Sequence, residues 1–119
     1  SNAEAGSIFL VEKNKLVFSY VQNEKLFKND EKNNKFLYQN HSISIDDTSI
    51  AGYVAKYGVT LHLDDVHELP QDAPYKYNRS FDEKTGYRTM SMLAIPIRDA
   101  GNVVEGVMEV INAKDENGN

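Results

Sequence analysis

One carboxylate in this chain stands where a carboxylate is costly. Glu109 lies between Val107 and Ile111 on one face of an apolar run from Val103 to Asn112. A charge in such surroundings is either paired or retained for a purpose. Arg88 and Arg98 are the cations that could pair with it across a sheet, and the other reading is a hydrogen-bonding group for a bound molecule. A second candidate is the cluster Asp46-Asp47-Thr48-Ser49, which precedes a short amphipathic segment beginning at Ile50. The unpaired N–H groups of a first helical turn form an anion site, but an aspartate used as the N-cap would occupy the same donors. A third is His62 and His67 with Asp64 and Asp65 between them. Their spacing fits no standard metal-ligand set, so a solvated acidic loop is the expected reading. Tyr75, Tyr77 and Phe81 recur at near-helical spacing, as core or lid, and Tyr77 and Phe81 would line any pocket there.

Catalytic patterns are missing from the chain. It contains no nucleophile elbow, no phosphate-binding glycine loop and no metal-ligand spacing. The absence of cysteine removes disulfides, thiolate zinc sites and thiol nucleophiles together. With 119 residues, 40% hydrophobic and 26% charged, the composition is that of one globular domain. A formal net charge of −5 and the lack of a basic patch argue against a nucleic-acid surface. No apolar run approaches the ~18 residues of a membrane span, and no signal peptide is visible, so a cytoplasmic setting is expected. Ser1-Asn2-Ala3 reads as the scar of a cleaved expression tag, leaving 4–119 as a single domain. The polar ending AKDENGN suggests a fragment of something larger.

The elements that must position these residues follow from periodicity. Ser7–Glu12 and Leu16–Gln22 read as a hairpin joined by Lys13-Asn14-Lys15, and the charged stretch 23–35 reads as a solvated insertion. Phe36–Ile45 resumes a strand pattern. A helix is expected over Ile50–Tyr57, from Ile50, Val54 and Tyr57 at i, i+4 and i+7, with Gly58 as its left-handed cap. Val59–Leu63 is a short strand, Asp64–Pro74 a loop, and Tyr75–Asp82 about two turns of helix. Thr85-Gly86 breaks the chain before a long hairpin, Thr89–Arg98 and Val103–Asn112, turning at Asp99-Ala100-Gly101-Asn102. Both faces of the returning strand are mostly apolar, which places it centrally with cover on both sides. The order β-β-β-α-β-α-β-β favours an α+β antiparallel sheet over a doubly wound one.

Five motifs in series resemble a GAF domain: SIAGYVAKYG (Ser49 to Gly58), LDDV (Leu63 to Val66), DEKTGYRT (Asp82 to Thr89), LAIPI (Leu93 to Ile97) and GVMEVIN (Gly106 to Asn112). The resemblance covers nearly the whole chain. It implies a PAS-related antiparallel sheet of five or six strands flanked by short helices, with the family's first and last helices, which often pair two subunits, missing from the fragment. It also implies a regulatory or sensory module, non-catalytic in itself, that binds a small ligand or mediates dimerisation and passes its state to an output domain in the same parent chain. No cofactor is required by that reading. GAF-like proteins that reduce methionine sulfoxide or bind bilins depend on cysteine, and this chain has none.

Within the family the sequence is similar to the cyclic-nucleotide-binding domains of phosphodiesterases and adenylyl cyclases, so cyclic AMP or cyclic GMP is the implied ligand. Residue by residue, the resemblance carries over Ser7 on the first strand, Ile50 and Ala51 whose backbone amides meet the cyclic phosphate, Asp82, Thr85 and Thr89 around the closing turn, and Glu109 on the pocket floor. Val21, Gln22 and Asn78 occupy positions where an aromatic, an acidic base-reading residue and a tyrosine are usual. The subfamily's Asn-Lys signature retains Asn112 but has Ala113 in place of the lysine. Ligand binding would order Pro70–Gly86 as a lid. The alternative is an empty domain whose pocket is filled by its own Tyr and Phe side chains and whose work is dimerisation.

Overall fold

A computed structural model describes residues 3–23, 42–79, 82–83 and 86–113 of the chain. Its strands are β1 (Ala3–Glu12), β2 (Lys15–Asn23), β3 (Ser42–Ser44), β4 (Leu61–Leu63), β5 (Met92–Arg98) and β6 (Val104–Ala113), with one helix, α1 (Ile50–Tyr57), between β3 and β4. The strands form one six-stranded sheet in the order β3-β2-β1-β6-β5-β4, and every neighbouring pair is antiparallel. Strand pairing thus begins at Ala3, inside the segment that reads as a tag scar in the sequence.

Local chemistry explains the tight connections. Lys13 and Asn14 both adopt positive φ (51° and 65°), the conformation of a two-residue hairpin turn whose twist matches its strands. The β5–β6 turn is organised by Asp99, whose Oδ1 accepts the N–H groups of Gly101 (2.8 Å) and Val103 (3.0 Å). Helix α1 has the expected bounds. Ser49 is its N-cap, accepting the Gly52 N–H at 2.9 Å through Oγ, and Gly58 closes it at φ 67°. Arg98 then fastens that end, donating from Nη2 to the Gly58 carbonyl at 2.7 Å.

The core lies where α1 covers one face of the sheet. Phe9, Leu16, Val54, Val66 and Val107 are fully buried there. Register sets which residues share that face: Ser7 pairs with Glu109, Phe9 with Val107 and Ala5 with Ile111, while Ala94 lies opposite Glu109 on the other side. A bulge between Ile8 and Phe9 brings Phe9 opposite Phe18, and the two rings meet at 4.4 Å. Strand β6 is central as expected. Cover on both faces is not observed among the described residues, since Met108 and Val110 are half-buried and Leu10 on β1 is exposed.

Two expectations need correction, and a third is tested only in part. Thr89–Ser91 is not strand, because its N–H groups go to side chains: Thr89 N to Asp82 Oδ2 (3.0 Å), Met90 N and Ser91 N to Asn112 Oδ1 (2.7 and 3.2 Å). Tyr75–Arg79 is not helical. Pro74 precedes it, the Lys76 N–H donates to the Asp47 carbonyl at 3.1 Å, and the Tyr75 ring packs edge-on against Tyr53 at 5.1 Å. Among the described residues the first helical bond of this stretch is the Glu83 N–H to the Arg79 carbonyl (3.0 Å), so coiling starts only after Arg79. Only Asp82 and Glu83 of the neighbouring described residues are helical. The strand expected over Phe36–Ile45 is observed as Ser42–Ser44, positions 36–41 lying outside the described residues, as do 24–35.

Asn112 also donates from Nδ2 to Tyr87 Oη (2.7 Å) and to the Arg88 carbonyl (3.0 Å), so its whole amide binds the segment before β5. Its φ of 52° is one that Asn tolerates and Ala does not. Asn112→Ala is expected to cost about 2 kcal/mol through lost hydrogen bonds and backbone strain, and Asn112→Gly somewhat less because only the bonds are lost. Urea denaturation of the two variants checks the order; equal losses would remove the strain contribution.

Candidate functional site

A cavity of about 240 Å³ lies between the covered face of the sheet, the N-terminus of α1 and the segment from Tyr77 to Thr89. Its floor is built from alternate residues of three adjacent strands: Ser7 and Phe9 on β1, Glu109 and Ile111 on β6, and Met92 on β5. Period-two alternation aims every second side chain at this space, and the β1–β6 register brings Ser7 beside Glu109. One wall is β3 and the start of α1, contributing Ser42, Ser44, Thr48, Ser49, Ile50 and Ala51. The other is Tyr77, Asn78, Asp82 and Thr89. No lysine or arginine lines the cavity among the described residues.

The α1 end resolves the competition between cap and anion site. Asp46 does not cap the helix: its Oδ1 accepts from the Thr48 N–H (2.9 Å) and the Thr48 hydroxyl. Those bonds, the side-chain one first, hold the Asp46 pKa below its ordinary value. The cap is Ser49, which satisfies Gly52 N–H with its hydroxyl and Tyr53 N–H with its carbonyl. Ile50 and Ala51, whose first-turn N–H groups have no intrahelical partner, line the cavity.

The opposite wall is a closed hydrogen-bond cluster. Asp82 accepts from Tyr77 Oη at 2.7 Å and the Thr89 N–H at 3.0 Å through Oδ2, and from Thr89 Oγ1 at 3.0 Å through Oδ1. Thr89 is only 4% exposed. Burial, reinforced by the neighbouring Asp82, raises the Tyr77 phenol well above its ordinary pKa, so it stays a donor at all physiological pH.

Glu109 is paired with neither arginine. Arg98 is committed to Gly58 and Asn102 carbonyls, and the Arg88 Nε lies 3.0 Å from the Met90 sulfur on the surface. The cross-strand neighbours of Glu109 are Ser7 and Ala94. This half-buried residue lines the cavity and meets no charged partner among the described residues. Desolvation therefore pushes its carboxyl up to about 7.

Of the residues singled out in the sequence, Ser7, Ile50, Ala51, Tyr77, Asn78, Asp82, Thr89 and Glu109 line this one cavity. Phe81, Thr85 and the side chain of Gln22 lie outside the described residues; the Gln22 backbone pairs with Gly6. Residues not anticipated include Phe9, Phe18, Ser42 and Ser44. Alternation outward from Ser7 was the available signal for Phe9, whereas Phe18 depends on the bulge and Ser42 and Ser44 on where β3 lies relative to the start of α1. The reading of His67 as part of a solvated acidic loop also needs correction. It is half-buried, with Nε2 2.8 Å from the Thr89 carbonyl oxygen and its ring edge-on to Tyr77 at 5.4 Å. His62 is exposed on β4, and no group of three potential metal ligands occurs among the described residues.

A six-stranded antiparallel sheet with a capped helix packed over β5 and β6, and a cavity beside the start of that helix, is an α+β open-sheet architecture. The chain belongs to the GAF family: the GAF domain model matches residues 1–117. Domains of this family are regulatory and sensory parts of signalling proteins. The chain is 42% identical over 65 residues to the dual 3′,5′-cyclic-AMP and -GMP phosphodiesterase 11 of Drosophila melanogaster, a match covering 55% of this chain and 4% of that protein. Among solved structures it is similar to the nlh2 GAF domain of A. aeolicus in an inactive state (18% identity, TM-score 0.63, 97% of this chain and 60% of that one). It is also similar to a type II free methionine-R-sulfoxide reductase from Thermoplasma acidophilum (15% identity, TM-score 0.64, 93% of this chain and 62% of that one). These structural likenesses share the fold. Among the described residues no helix is long and apolar enough to cross a membrane.

Proposed function

We propose that this GAF domain is a binding module for a small ligand, a cyclic nucleotide, held in the cavity between Ile50-Ala51 and Glu109. The observation that carries this reading is the cavity's polarity. At one end is the first turn of α1, where Ile50 and Ala51 line the cavity together with Ser42, Ser44 and Ser49, a setting suited to a monoanionic phosphodiester without a basic side chain. Across the sheet floor stands Glu109, without a cationic partner among the described residues and able to hydrogen-bond a base or ribose. The relationship to a phosphodiesterase of cyclic AMP and cyclic GMP points the same way. Binding would be relayed to an output domain of a larger signalling protein, with the domain acting as a homodimer. Without cysteine, and without a catalytic constellation in the sequence, the module acts by binding rather than by catalysis.

The alternative, an empty domain used only for dimerisation, requires a pocket filled by its own aromatic side chains. The cavity of about 240 Å³ favours the first reading, since an engineered apolar cavity of ~150 Å³ already admits benzene. Calorimetric titration of the chain with cyclic AMP and cyclic GMP is the direct test. Saturable heat with one of them is expected, and Thr89→Ala should weaken it roughly tenfold by removing the hydroxyl, one of the three donors that hold Asp82 in its wall, with the unfolding transition preserved. Equal affinity in the wild type and Thr89→Ala would sink the site assignment. Absence of heat with both nucleotides would overturn the ligand.

A further inference from the structure

We propose that His67, which does not line the cavity, is a positioning residue that holds the Thr89–Asp82–Tyr77 wall in its binding geometry from behind. Thr89 and Tyr77 are gripped on the cavity side by one carboxylate, that of Asp82. On the far side one imidazole meets both: Nε2 lies 2.8 Å from the Thr89 carbonyl oxygen, and the ring edge contacts Tyr77 at 5.4 Å. A carbonyl only accepts, so Nε2 is the protonated nitrogen in this arrangement. The wall is therefore clamped between an acceptor in front and a donor behind.

The clamp has a fixed base. The His67 N–H donates to Asp65 Oδ1 at 2.9 Å, and the Val66 N–H donates to the Met90 carbonyl at 2.7 Å. Val66 itself is 2% exposed and part of the core. The turn that presents the imidazole is thus tied to the same segment that carries Thr89, one residue further along. Thr89 lacks ladder hydrogen bonds, since β5 begins only at Met92. Its geometry depends on side chains, and His67 supplies the contact that Asp82 cannot, to the carbonyl.

The decisive experiment reads amide hydrogen exchange by NMR in the ligand-free protein, comparing wild type, His67→Phe and His67→Gln. Phe keeps a ring beside Tyr77 but has no donor, and the Gln side-chain amide restores a donor near the position of Nε2. The Thr89 amide is expected to exchange roughly tenfold faster in His67→Phe and near the wild-type rate in His67→Gln. Val107 and Met108 report global opening, and acceleration confined to Thr89 supports the clamp. Acceleration shared with Val107 and Met108 overturns it, as does a Thr89 rate unchanged in His67→Phe or unrestored in His67→Gln. The consequence for affinity rests on the ligand reading above. With cyclic AMP and cyclic GMP as probes, the nucleotide that binds wild type should dissociate roughly tenfold faster from His67→Phe and recover with Gln. Failure of wild type to bind either nucleotide overturns the proposed function, and the exchange rates still decide the role of His67.

Discussion

At pH 8, ligand-free Glu109→Gln is expected to be more stable than the wild type by about 2 kcal/mol, and the pH dependence of stability between 4.5 and 7 is expected to flatten. The carboxyl titrates near 7 in the folded domain against an ordinary 4.5, because burial disfavours its charge. Below pH 4.5 it is neutral in both states and contributes nothing to the balance. Between 4.5 and 7 the unfolded chain ionises while the folded one keeps its proton, so unfolding is favoured progressively as pH rises. Above 7 the penalty is constant. A shift from 4.5 to 7 corresponds to about 3 kcal/mol at 1.36 kcal/mol per unit, and Gln recovers only part of it because an amide in the same place is also desolvated. Tyr77 and Asp82 are the other ionisable groups lining the cavity among the described residues, and Tyr77, whose pKa burial raises most and Glu109 raises a little further, stays protonated over this whole range. Urea denaturation of both proteins from pH 4.5 to 8 measures the difference. A wild-type slope retained by Glu109→Gln would mean that another group carries the pH dependence. An apo domain destabilised by its own Glu109 is also one that a ligand satisfying that carboxyl would stabilise most.

Gly52→Ala is expected to destabilise the domain by about 2 kcal/mol or more, against the direction that helix propensity alone indicates. Gly52 lies in the first turn of α1, where Ala would ordinarily gain about 1 kcal/mol. Here a Cβ would collide with the Ser44 carbonyl oxygen and lie 2.7 Å from the Asp46 carbonyl oxygen and 2.9 Å from Ser49 Oγ. Two of those atoms are backbone, so relief requires moving β3 or the turn into the helix. The helix start is also the cavity wall carrying Ile50 and Ala51. The variant should therefore lose stability and ligand affinity together, as thermal unfolding and titration would show. A more stable Gly52→Ala would mean that α1 approaches Ser44 of β3 and Asp46 of the following turn less closely than these contacts require.

Much of this architecture was legible in the order of residues because its determinants are local. Alternation in Val103–Asn112 marked β6 as a central strand, and Ser49, the i, i+4, i+7 apolar spacing and Gly58 bounded α1. Glu109 stood out because an acid between Val107 and Ile111 violates the pattern around it. The family's motifs added Ser7, Ile50, Asp82 and Thr89, residues with no local peculiarity that identifies them.

What sequence order alone could not decide was every choice made by partners distant along the chain. Whether Glu109 meets an arginine or a cavity depends on the register that sets Ser7 and Ala94 beside it. Where Tyr75–Arg79 lies depends on Asp47 and Tyr53, which hold the Lys76 N–H and the Tyr75 ring. Whether Thr89 extends β5 depends on Asp82 and Asn112, and the role of His67 depends on the Thr89 carbonyl, 22 residues away in sequence. Periodicity encodes which side chains share a face, because strand and helix repeats are fixed by backbone sterics. Which polar group finds which partner is fixed only when the sheet closes β1 against β6 and burial makes each unpaired donor or acceptor costly.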